Sequence, residues 1–498
     1  MPGHGGASLD AFTQIRPNLV KRYNWRRREL GCVVVLDVGK TLTKLTLWSP
    51  DGRLLEHCAR PNVPQPTRHY PALDAQGIED WLVRQLGEFA KTHDIAAIVP
   101  VAHGAAATIV QEDGSYLPPI DYEAEPPAEI RDRYAALRDP FALTGSPRLP
   151  AGLNLGAQLY WLDSVEPERT RTGRIVTWPQ FWSWRLSGVL STEVSSLGTH
   201  TDLWCPMEKR YSPLAESQGW AKRFAPLRHA GDVLGPVTAG WRERCGLSGE
   251  CAVLCGVHDS NAALLAARLY PETRAREFTV LSTGTWFIAM RAGGVASEFG
   301  ALREARDCLI NVDVDGNPVP SSRFMGGREI ELLADHPRAD GPAPSAVELT
   351  RRTARLIDRA VFALPTFQAG VGPFPRAQGR WTARPDNLRD RLIAASLYLA
   401  LISDVSLDLI GSHDCLIVEG RFAADPLFVS TLAALRPGQT VHVSDMIDNV
   451  PLGALRLFNP QLRPRATLKA IEPLALDLMT YARQWRAQAE TGQHMAPA

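Results

Sequence analysis

The sequence predicts an α/β protein of two large domains, on three observations. A chain of 498 residues is too long for one ordinary hydrophobic core. Apolar segments with the periodicity of strands and of helices alternate from Val33 onward, which is typical of layered α/β folds. A strand, a tight turn rich in glycine and threonine, and a second strand occur near the start of the chain and again in its second half.

The first of these hairpins spans 33–48 and reads V-V-V-L-D-V-G-K-T-L-T-K-L-T-L-W. We expect Gly39 to make the sharp reversal, because a residue without a Cβ takes positive φ freely and lets a ligand approach the backbone. The turn also carries hydrogen-bond donors on Lys40, Thr41, Thr43 and Lys44. Ammonium groups, hydroxyls and exposed backbone N–H groups suit an anionic oxygen such as that of phosphate.

The second hairpin spans 278–290 and reads F-T-V-L-S-T-G-T-W-F-I-A-M. Gly284 has the place of Gly39, and the hydroxyls belong to Ser282, Thr283 and Thr285. Any β-hairpin uses glycine at its turn and favours threonine in its strands, so each hairpin taken alone leaves a purely structural role open. Together they indicate two half-sites on one polyphosphate, and therefore an enzyme that uses ATP.

Asp37 ends the apolar run of the first strand. A carboxylate is out of place in a hydrophobic core unless it is paired or holds a cation. Beside a phosphate-binding turn, an aspartate holds Mg²⁺ directly or through its waters. We therefore expect Asp37 at a magnesium site.

The other elements follow from local patterns in chain order. We expect an irregular arm over 1–30, with its basic run 21–28 in solvent. Periodicity predicts helices at 77–93, 151–162 and 392–410, and strands at 95–101, 108–110, 252–257 and 416–419. The hairpin theme restarts after 250, so we place the domains at 31–250 and 251–475, with a tail at 476–498.

Composition limits the partners and the compartment. The 54 basic and 54 acidic residues balance, so no electrostatic footprint for nucleic acid exists. We expect no membrane-spanning stretch and no secretory signal. Eight scattered cysteines fit a reducing cytoplasm, and Cys251, Cys255 and His258 lack the fourth ligand of a closed zinc site. The oligomeric state stays open, a homodimer included.

Asp259 is the candidate general base. It follows an apolar strand and precedes A-A-L-L-A-A-R-L, a strong helix former. Two roles are open and compatible: a helix N-cap, and a base that accepts a hydroxyl proton during phosphoryl transfer from ATP. His258 is adjacent and is either a functional or a structural histidine. The chain has no P-loop, no dinucleotide fingerprint and no protein-kinase motif set.

In order and spacing, these motifs resemble those of the FGGY carbohydrate kinases over about 32–460. The family's first hairpin motif is matched by Asp37, Gly39, Thr41 and Lys44, its central motif by Gly256, Asp259 and Ala263, and its second hairpin motif by Ser282, Gly284 and Thr285. The resemblance implies a two-domain actin-like ATPase (ribonuclease H-like) fold with a cleft between the domains. Within the family, the H-D and L-S-T-G-T-W segments look most like the L-fuculokinase and L-rhamnulokinase branch.

The resemblance also implies roles for individual residues. Asp259 is the catalytic base and Asp37 helps to hold Mg²⁺. The ATP contacts are Gly39, Lys40, Thr41, Thr43, Lys44, Thr283, Gly284, Thr285, Gly327, Gly420 and Arg421. The sugar contacts are His103, Gly104, Asp121, Tyr122, His258, Asp259 and Ser260, for each of which an ordinary polar loop is the alternative.

The implied reaction is phosphorylation of the terminal hydroxyl of a ketose, with L-fuculose as the best guess. L-rhamnulose, xylulose, ribulose or a polyol are alternatives. A sugar-binding regulator without activity is a further alternative, and a chaperone-type ATPase is disfavoured because no peptide-binding domain follows the motifs.

The chain departs from the family pattern at three positions. Lys40 stands where threonine or serine is expected, and Gln158 stands where lysine is expected. The glycine-rich adenosine motif is reduced to V-E-G-R-F-A, in which Gly420 is retained beside Arg421. The arginine is bulky where the family motif has a small residue, and a guanidinium stacks well on a base.

Overall fold

The computed structural model describes residues 31–247, 250–274, 276–294, 302–334, 345–444, 449–463 and 467–495. Two mixed seven-stranded sheets form its framework. The arm expected over 1–30 lies outside the described residues.

The first sheet contains the first hairpin. Its strands are β1 (Cys32–Val38), β2 (Leu42–Trp48), β3 (Leu54–Pro61), β4 (Ile95–Ala102), β5 (Val233–Pro236), β6 (Ala252–Leu254) and β7 (Val257–His258). Their order is β5–β6–β4–β1–β2–β3, with β7 also paired to β4. Strand β1 runs antiparallel to β2 and parallel to β4. Both β1 and β4 are buried almost throughout, which explains their continuous apolar sequences.

Helices pack against this sheet, and others belong to a smaller subdomain beside it. The longer ones are α1 (Ala75–Thr92), α2 (Ala128–Leu137), α3 (Leu155–Val165) and α4 (Trp178–Ser187). Helix α1 begins where the Asp74 carboxylate accepts a hydrogen bond from the backbone N–H of Gly77 at 2.9 Å. Short helices lie at Phe141–Thr144, Pro167–Thr172, Val194–Leu197, Pro213–Ser217 and Ala239–Cys245. A small ladder pairs Ala107–Val110 with Arg174–Thr177.

The second sheet repeats the plan of the first. Its strands are β8 (Phe278–Thr283), β9 (Phe287–Ala292), β10 (Cys308–Val312), β11 (Pro318–Phe324), β12 (Cys415–Gly420), β13 (Thr440–Ser444) and β14 (Leu468–Ala470). The order is β10–β11–β9–β8–β12–β13–β14. Strand β8 is antiparallel to β9 and parallel to β12, as β1 is to β2 and β4.

The second half of the chain adds seven longer helices. They are α5 (Asp259–Ala267), α6 (Gly326–Ala334), α7 (Ala346–Asp358), α8 (Leu388–Leu409), α9 (Pro426–Leu435), α10 (Val450–Phe458) and α11 (Met479–Met495). Helix α8 is long and apolar enough to cross a membrane, contrary to expectation, but 78% of its most apolar window is buried inside the protein. It packs in the core of the second domain, which is the ordinary reason for such a composition.

The structure moves two of the expected boundaries. Strands β6 and β7 follow residue 250 yet pair with β4, so the first sheet extends to His258. The expected strand 252–257 is split in two at Gly256, whose φ is +84° and at which a Cβ would lie 2.5 Å from the carbonyl oxygen of Pro100. The expected tail contains α11, whose buried Trp485 donates from Nε1 to the carbonyl oxygen of Ala363 at 2.7 Å.

The two domains contact each other directly. Helices α5 and α10 share a hydrophobic core with β1 and β4 of the first sheet. The edge strand β10 of the second sheet lies against the first domain, where the backbone N–H of Ile310 donates to the carbonyl oxygen of Gly145 at 2.8 Å. The first domain therefore covers an edge that would otherwise be open to solvent.

Candidate active site

Hydrogen bonds to the side chain of Asn62 stabilise the turn between β1 and β2. The Asn62 amide donates to the carbonyl oxygen of Gly39 at 2.8 Å and accepts from the Thr43 hydroxyl at 2.9 Å. The Thr43 hydroxyl therefore supports the turn, whereas Thr41 is exposed. Contrary to expectation, neither Gly39 nor Gly284 takes a positive φ. Glycine fits at 39 because a Cβ there would lie 3.0 Å from the carbonyl oxygen of Leu42.

Asp37 lies at the end of β1, directly opposite Lys44 in the β1–β2 register. It is 8% exposed, and its Oδ2 lies 3.7 Å from the Lys44 ammonium. A buried carboxylate needs such a counter-charge. The structure thus joins two of the predicted site residues into one ion pair at the mouth of the first turn.

Lys40 turns away from its own hairpin and towards the loop that contains Asp121. Its ammonium contacts the buried Asp121 carboxylate, lies 3.3 Å from a carboxylate oxygen of Glu123, and stands 5.0 Å from the ring centre of Tyr122. We expected Lys40 to face ATP, but two carboxylates neutralise it here. The ion pair fixes the Asp121 loop to the first turn, and so ties two predicted sites together.

His103 forms a wall of the site just beyond β4. Its ring packs edge-on against Tyr122 with centres 5.2 Å apart, and its Nδ1 accepts from the backbone N–H of Ala105 at 3.3 Å. Burial lowers the pKa of His103 to about 3, with smaller contributions from the neighbouring His258 and Lys40. His103 is therefore neutral at physiological pH.

Gly104 follows His103 and leaves room for the residues across the site. A Cβ at 104 would lie 2.6 Å from the Thr199 methyl carbon and 3.1 Å from the His258 ring. The predicted sugar contacts at 103, 104, 121, 122 and 258 are thus neighbours in space.

Asp259 is the first residue of α5, and its carboxylate is oriented by its neighbours. Its Oδ1 accepts from the backbone N–H of Ser260 at 2.6 Å and from the Ser260 hydroxyl at 3.2 Å. His258 Nε2 lies 3.2 Å from the same oxygen. His258, rather than Asp259, has the N-cap position of the helix. The Asp259 side chain is 31% exposed, so it is accessible from the site.

The tautomer of His258 follows from its second contact. The Asn261 amide nitrogen, which only donates, lies 3.1 Å from His258 Nδ1. Nδ1 therefore accepts, and the ring proton is on Nε2, which lies 3.2 Å from Oδ1 of Asp259. Burial lowers the pKa of His258, which keeps the ring neutral. All of these contacts are made by Oδ1 of Asp259, not by Oδ2.

Two further residues of the site were missed from the sequence. His200 lies near His258, and burial lowers its pKa to about 3 with help from the positive Arg323. Arg323 comes from β11 of the second domain, where its Nε donates to Asp307 at 2.7 Å and its guanidinium stands 4.8 Å from the Trp286 ring centre. No motif marks either residue, because the fold alone brings them to the site.

The second turn is tied to β12. The Thr283 hydroxyl donates to the carbonyl oxygen of Glu419 at 2.6 Å and accepts from the backbone N–H of Phe422 at 3.0 Å. Gly420 has a φ of +83°, and a Cβ there would lie 2.3 Å from the carbonyl oxygen of Thr283. Thr283 and Gly420 are therefore structural supports of the turn, while Thr285 is exposed at its tip.

Gly327 brings the N-terminus of α6 against this turn. A Cβ at 327 would lie 2.3 Å from the carbonyl oxygen of Gly284 and 3.0 Å from the Cα of Thr285. The backbone N–H of Gly327 donates to the carbonyl oxygen of Thr285 at 3.2 Å. The start of a helix thus adjoins the predicted phosphate-binding turn.

The structure also shows the contacts of Arg421 and Gln158, the other two departures from the family pattern. Arg421 is exposed, with its guanidinium 5.3 Å from the ring centre of Phe422. Gln158 is buried in α3 and donates to the carbonyl oxygens of Ala105 at 2.8 Å and Gly152 at 2.6 Å. Gln158 therefore anchors the segment behind His103 without adding charge.

Comparison with known proteins gives consistent results. Residues 275–466 match the family model "Carbohydrate kinase FGGY, C-terminal domain". The crystal structure of a carbohydrate kinase from Novosphingobium aromaticivorans is 45% identical, covers 93% of this chain and 100% of its own, and superposes with a TM-score of 0.88. No curated protein sequence matches the chain.

More distant structures share the fold. A xylulose kinase from Lactobacillus acidophilus is 14% identical with a TM-score of 0.72, over 94% of this chain and 98% of its own. A gluconate kinase from the same organism is 14% identical with a TM-score of 0.75, over 93% and 99%. The expected two-domain actin-like ATPase fold is confirmed, whereas the L-fuculokinase branch stays a prediction.

Proposed function

The chain belongs to the FGGY carbohydrate kinase family, and from this membership we propose that it transfers the γ-phosphoryl group of ATP to the terminal hydroxyl of a ketose. The observation that carries the proposal is the partly exposed carboxylate of Asp259, one oxygen of which is held by two hydrogen bonds from Ser260 and lies 3.2 Å from His258 Nε2. L-Fuculose is the first candidate substrate, on the sequence resemblance. L-Rhamnulose, xylulose, ribulose and polyols are the alternatives.

Asp259 acts as the general base. The hydroxyl oxygen of the sugar forms a bond to the γ-phosphorus, the bond from that phosphorus to the β–γ bridging oxygen breaks, and Oδ2 of Asp259 takes the hydroxyl proton. His258 and Ser260 hold Oδ1, so their proposed role is to position the base. General-base catalysis contributes about 10²–10⁴-fold, and alignment of the reactants supplies much of the rest.

The two turns and the start of α6 fit the phosphates of ATP. Gly327 and Gly284 approach so closely that a Cβ at 327 would fill the space between them. Such a close backbone cradle offers N–H groups to phosphate oxygens. Exposed Thr285 and Thr41 add hydroxyls from the two sides. The adenine contact that we propose is stacking on Arg421, which is exposed beside Gly420.

The donor set suits Mg²⁺ bound mainly through ATP and water. Within the described residues, no group of three or more His, Cys, Asp or Glu side chains could hold a metal ion by itself. Magnesium usually keeps several waters and takes one or two carboxylates beside substrate phosphates. Asp37 is the carboxylate that we propose for it, and the ion would neutralise charge on the transferring phosphoryl group.

The charges of the site favour an uncharged sugar. Lys40 is paired with Asp121 and Glu123, Lys44 with Asp37, and Arg323 with Asp307. The neighbouring histidines 103, 200 and 258 are kept neutral by burial. An aldonate carboxylate would need a cation that is not already neutralised. These pairs therefore support a ketose or polyol over a sugar acid.

The test is ADP formation from Mg-ATP with a panel of sugars: L-fuculose, L-rhamnulose, L- and D-xylulose, L- and D-ribulose, glycerol, erythritol and gluconate. We expect one neutral ketose to give the highest kcat/KM. Gluconate as the best substrate would contradict the charge argument, and silence with every sugar would contradict the ketose proposal.

Asp259→Asn keeps the size of the side chain and removes its basicity. We expect kcat to fall by about 10²–10⁴-fold with ATP affinity retained. Asp358→Asn, at the exposed end of α7, makes the same chemical change away from the site and should leave turnover unchanged. Wild-type turnover in Asp259→Asn would remove Asp259 from the mechanism. The compartment proposed for the reaction is the cytoplasm, where all eight cysteines stay free as they are in the structure.

A further inference from the structure

A second cavity of about 650 Å³ lies at the opposite ends of the elements that build the active site. Helix α5 begins at Asp259 and runs for nine residues, about 13 Å, to reach Arg268 in the cavity wall. Strand β8 ends at the phosphate-binding turn and starts at Phe278 in the same wall. The cavity is thus separate from the catalytic site but shares its framework.

The lining of this cavity is strongly basic. It includes five arginines and a single carboxylate: Arg268, Arg274, Arg276, Arg456, Arg463 and Glu272. Arg268 is already paired, with Asp313 at 2.5 Å and with Asp315 at 2.9 Å. In the part of the chain that the structure describes, no carboxylate lies within 4.0 Å of the other four guanidinium groups.

Two arginines of the cavity, Arg268 and Arg456, repel each other. Burial and the positive charge of Arg268 lower the pKa of Arg456, while Asp315 only partly opposes them. Guanidinium groups gathered without enough counter-charge cost free energy in the folded protein. A bound anion removes that repulsion and uses the planar donor geometry, which matches phosphate oxygens in pairs.

We propose that this cavity is a binding site for a small anion that carries two phosphate groups. The four arginines that have no carboxylate within 4.0 Å among the described residues provide two bidentate donors for each of two phosphates. The volume is in the range of small-molecule sites and exceeds what one phosphate fills. The proposed substrates of the catalytic site are uncharged sugars, which would not neutralise the positive charge of this lining.

The position of the cavity links such an anion to catalysis. Arg456 lies on α10, which shares a core with the first sheet. Arg274 and Arg276 lie on the connection that enters β8 of the second sheet. An anion held by both sets of arginines connects the helix that packs on the first sheet with the segment that enters the second sheet. We expect such a connection to change the affinity for nucleotide, and the nucleotide then changes the affinity for the anion by the same factor.

The probe is pyrophosphate, titrated calorimetrically into the full chain without divalent cations and with ADP saturating the active site. We expect one pyrophosphate per chain in the wild type. Binding should weaken at least tenfold in Arg276→Gln/Arg456→Gln and in Arg274→Gln/Arg463→Gln, of which the second changes only exposed side chains. The control Arg131→Gln/Arg171→Gln makes the same charge change on exposed arginines of the first domain and should bind as the wild type does.

Three results would overturn the proposal. They are no binding to the wild type, equal binding to both cavity variants, or loss of binding when ADP is present, which would assign pyrophosphate to the ATP site. Linkage is tested by the affinity for ADP with and without pyrophosphate. We expect a shift of at least twofold in the wild type and none in Arg274→Gln/Arg463→Gln, and an unshifted wild type would overturn the link to the active site.

Discussion

Gly327→Ala is the substitution that tests the contact between α6 and the second turn. The added Cβ would lie 2.3 Å from the carbonyl oxygen of Gly284, and Cβ contacts shorter than 3.0 Å essentially do not occur. The turn or the helix must therefore move by at least 3.0 − 2.3 = 0.7 Å. A displacement of about 1 Å in a catalytic site costs about 10²-fold in rate. We expect kcat/KM for ATP to fall by about 10–10²-fold.

The matched control is Gly240→Ala. Gly240, like Gly327, is the second residue of its helix, but a Cβ at 240 meets nothing within 4 Å. Replacing a helical glycine by alanine there should raise stability by up to about 1 kcal/mol and leave the kinetics unchanged. Both variants are compared by thermal unfolding and by steady-state kinetics with ATP varied. A folded Gly327→Ala protein with the wild-type kcat/KM for ATP would refute the proposed phosphate cradle.

Three further outcomes are expected. Lys40→Met leaves the buried Asp121 without its cation, so unfolding in urea should show a loss of about 3–5 kcal/mol, and the KM for sugar should rise more than that for ATP. Asn261→Leu removes the amide donor that fixes the tautomer of His258, so kcat should fall about tenfold while the KM for ATP stays unchanged. A kcat equal to that of the wild type would contradict the role assigned to Asn261. Burial raises the pKa of Glu329 to about 7, so the folded state holds a proton that the unfolded state releases near 4.5. The free energy of unfolding should therefore fall as the pH rises from 4.5 to 7. Urea unfolding of Glu329→Gln at several pH values should lack this decrease.

Local patterns predicted the two hairpins well. Two apolar strand segments on either side of a turn rich in glycine and threonine define each hairpin, and the register of β1–β2 and β8–β9 confirms them. Positive φ at the two glycines was wrong, because neither turn contains a left-handed glycine; at 39 the feature that favours glycine is the carbonyl oxygen of Leu42, 3.0 Å from where a Cβ would lie. Periodicity does not report such distances.

Contacts between distant parts of the chain were not predictable. The partner of Lys40 lies 81 positions away, and Arg323 reaches the site from the second domain. The sequence around Lys40 does not indicate that its ammonium will pair with the loop that contains Asp121. Helix α11 did leave a signal, since Tyr481, Trp485 and Ala489 recur at four-residue spacing and are buried.

The most direct test of the central claim is the identity of the product. Phosphorus NMR and mass spectrometry of a reaction with Mg-ATP and the best sugar of the panel would measure sugar phosphate against ADP. We predict one sugar phosphate, with phosphorus on its terminal oxygen, for each ADP formed by the wild type, and a loss of about 10²–10⁴-fold with Asp259→Asn. ADP without sugar phosphate, or undiminished product from Asp259→Asn, would contradict a kinase in which Asp259 is the base.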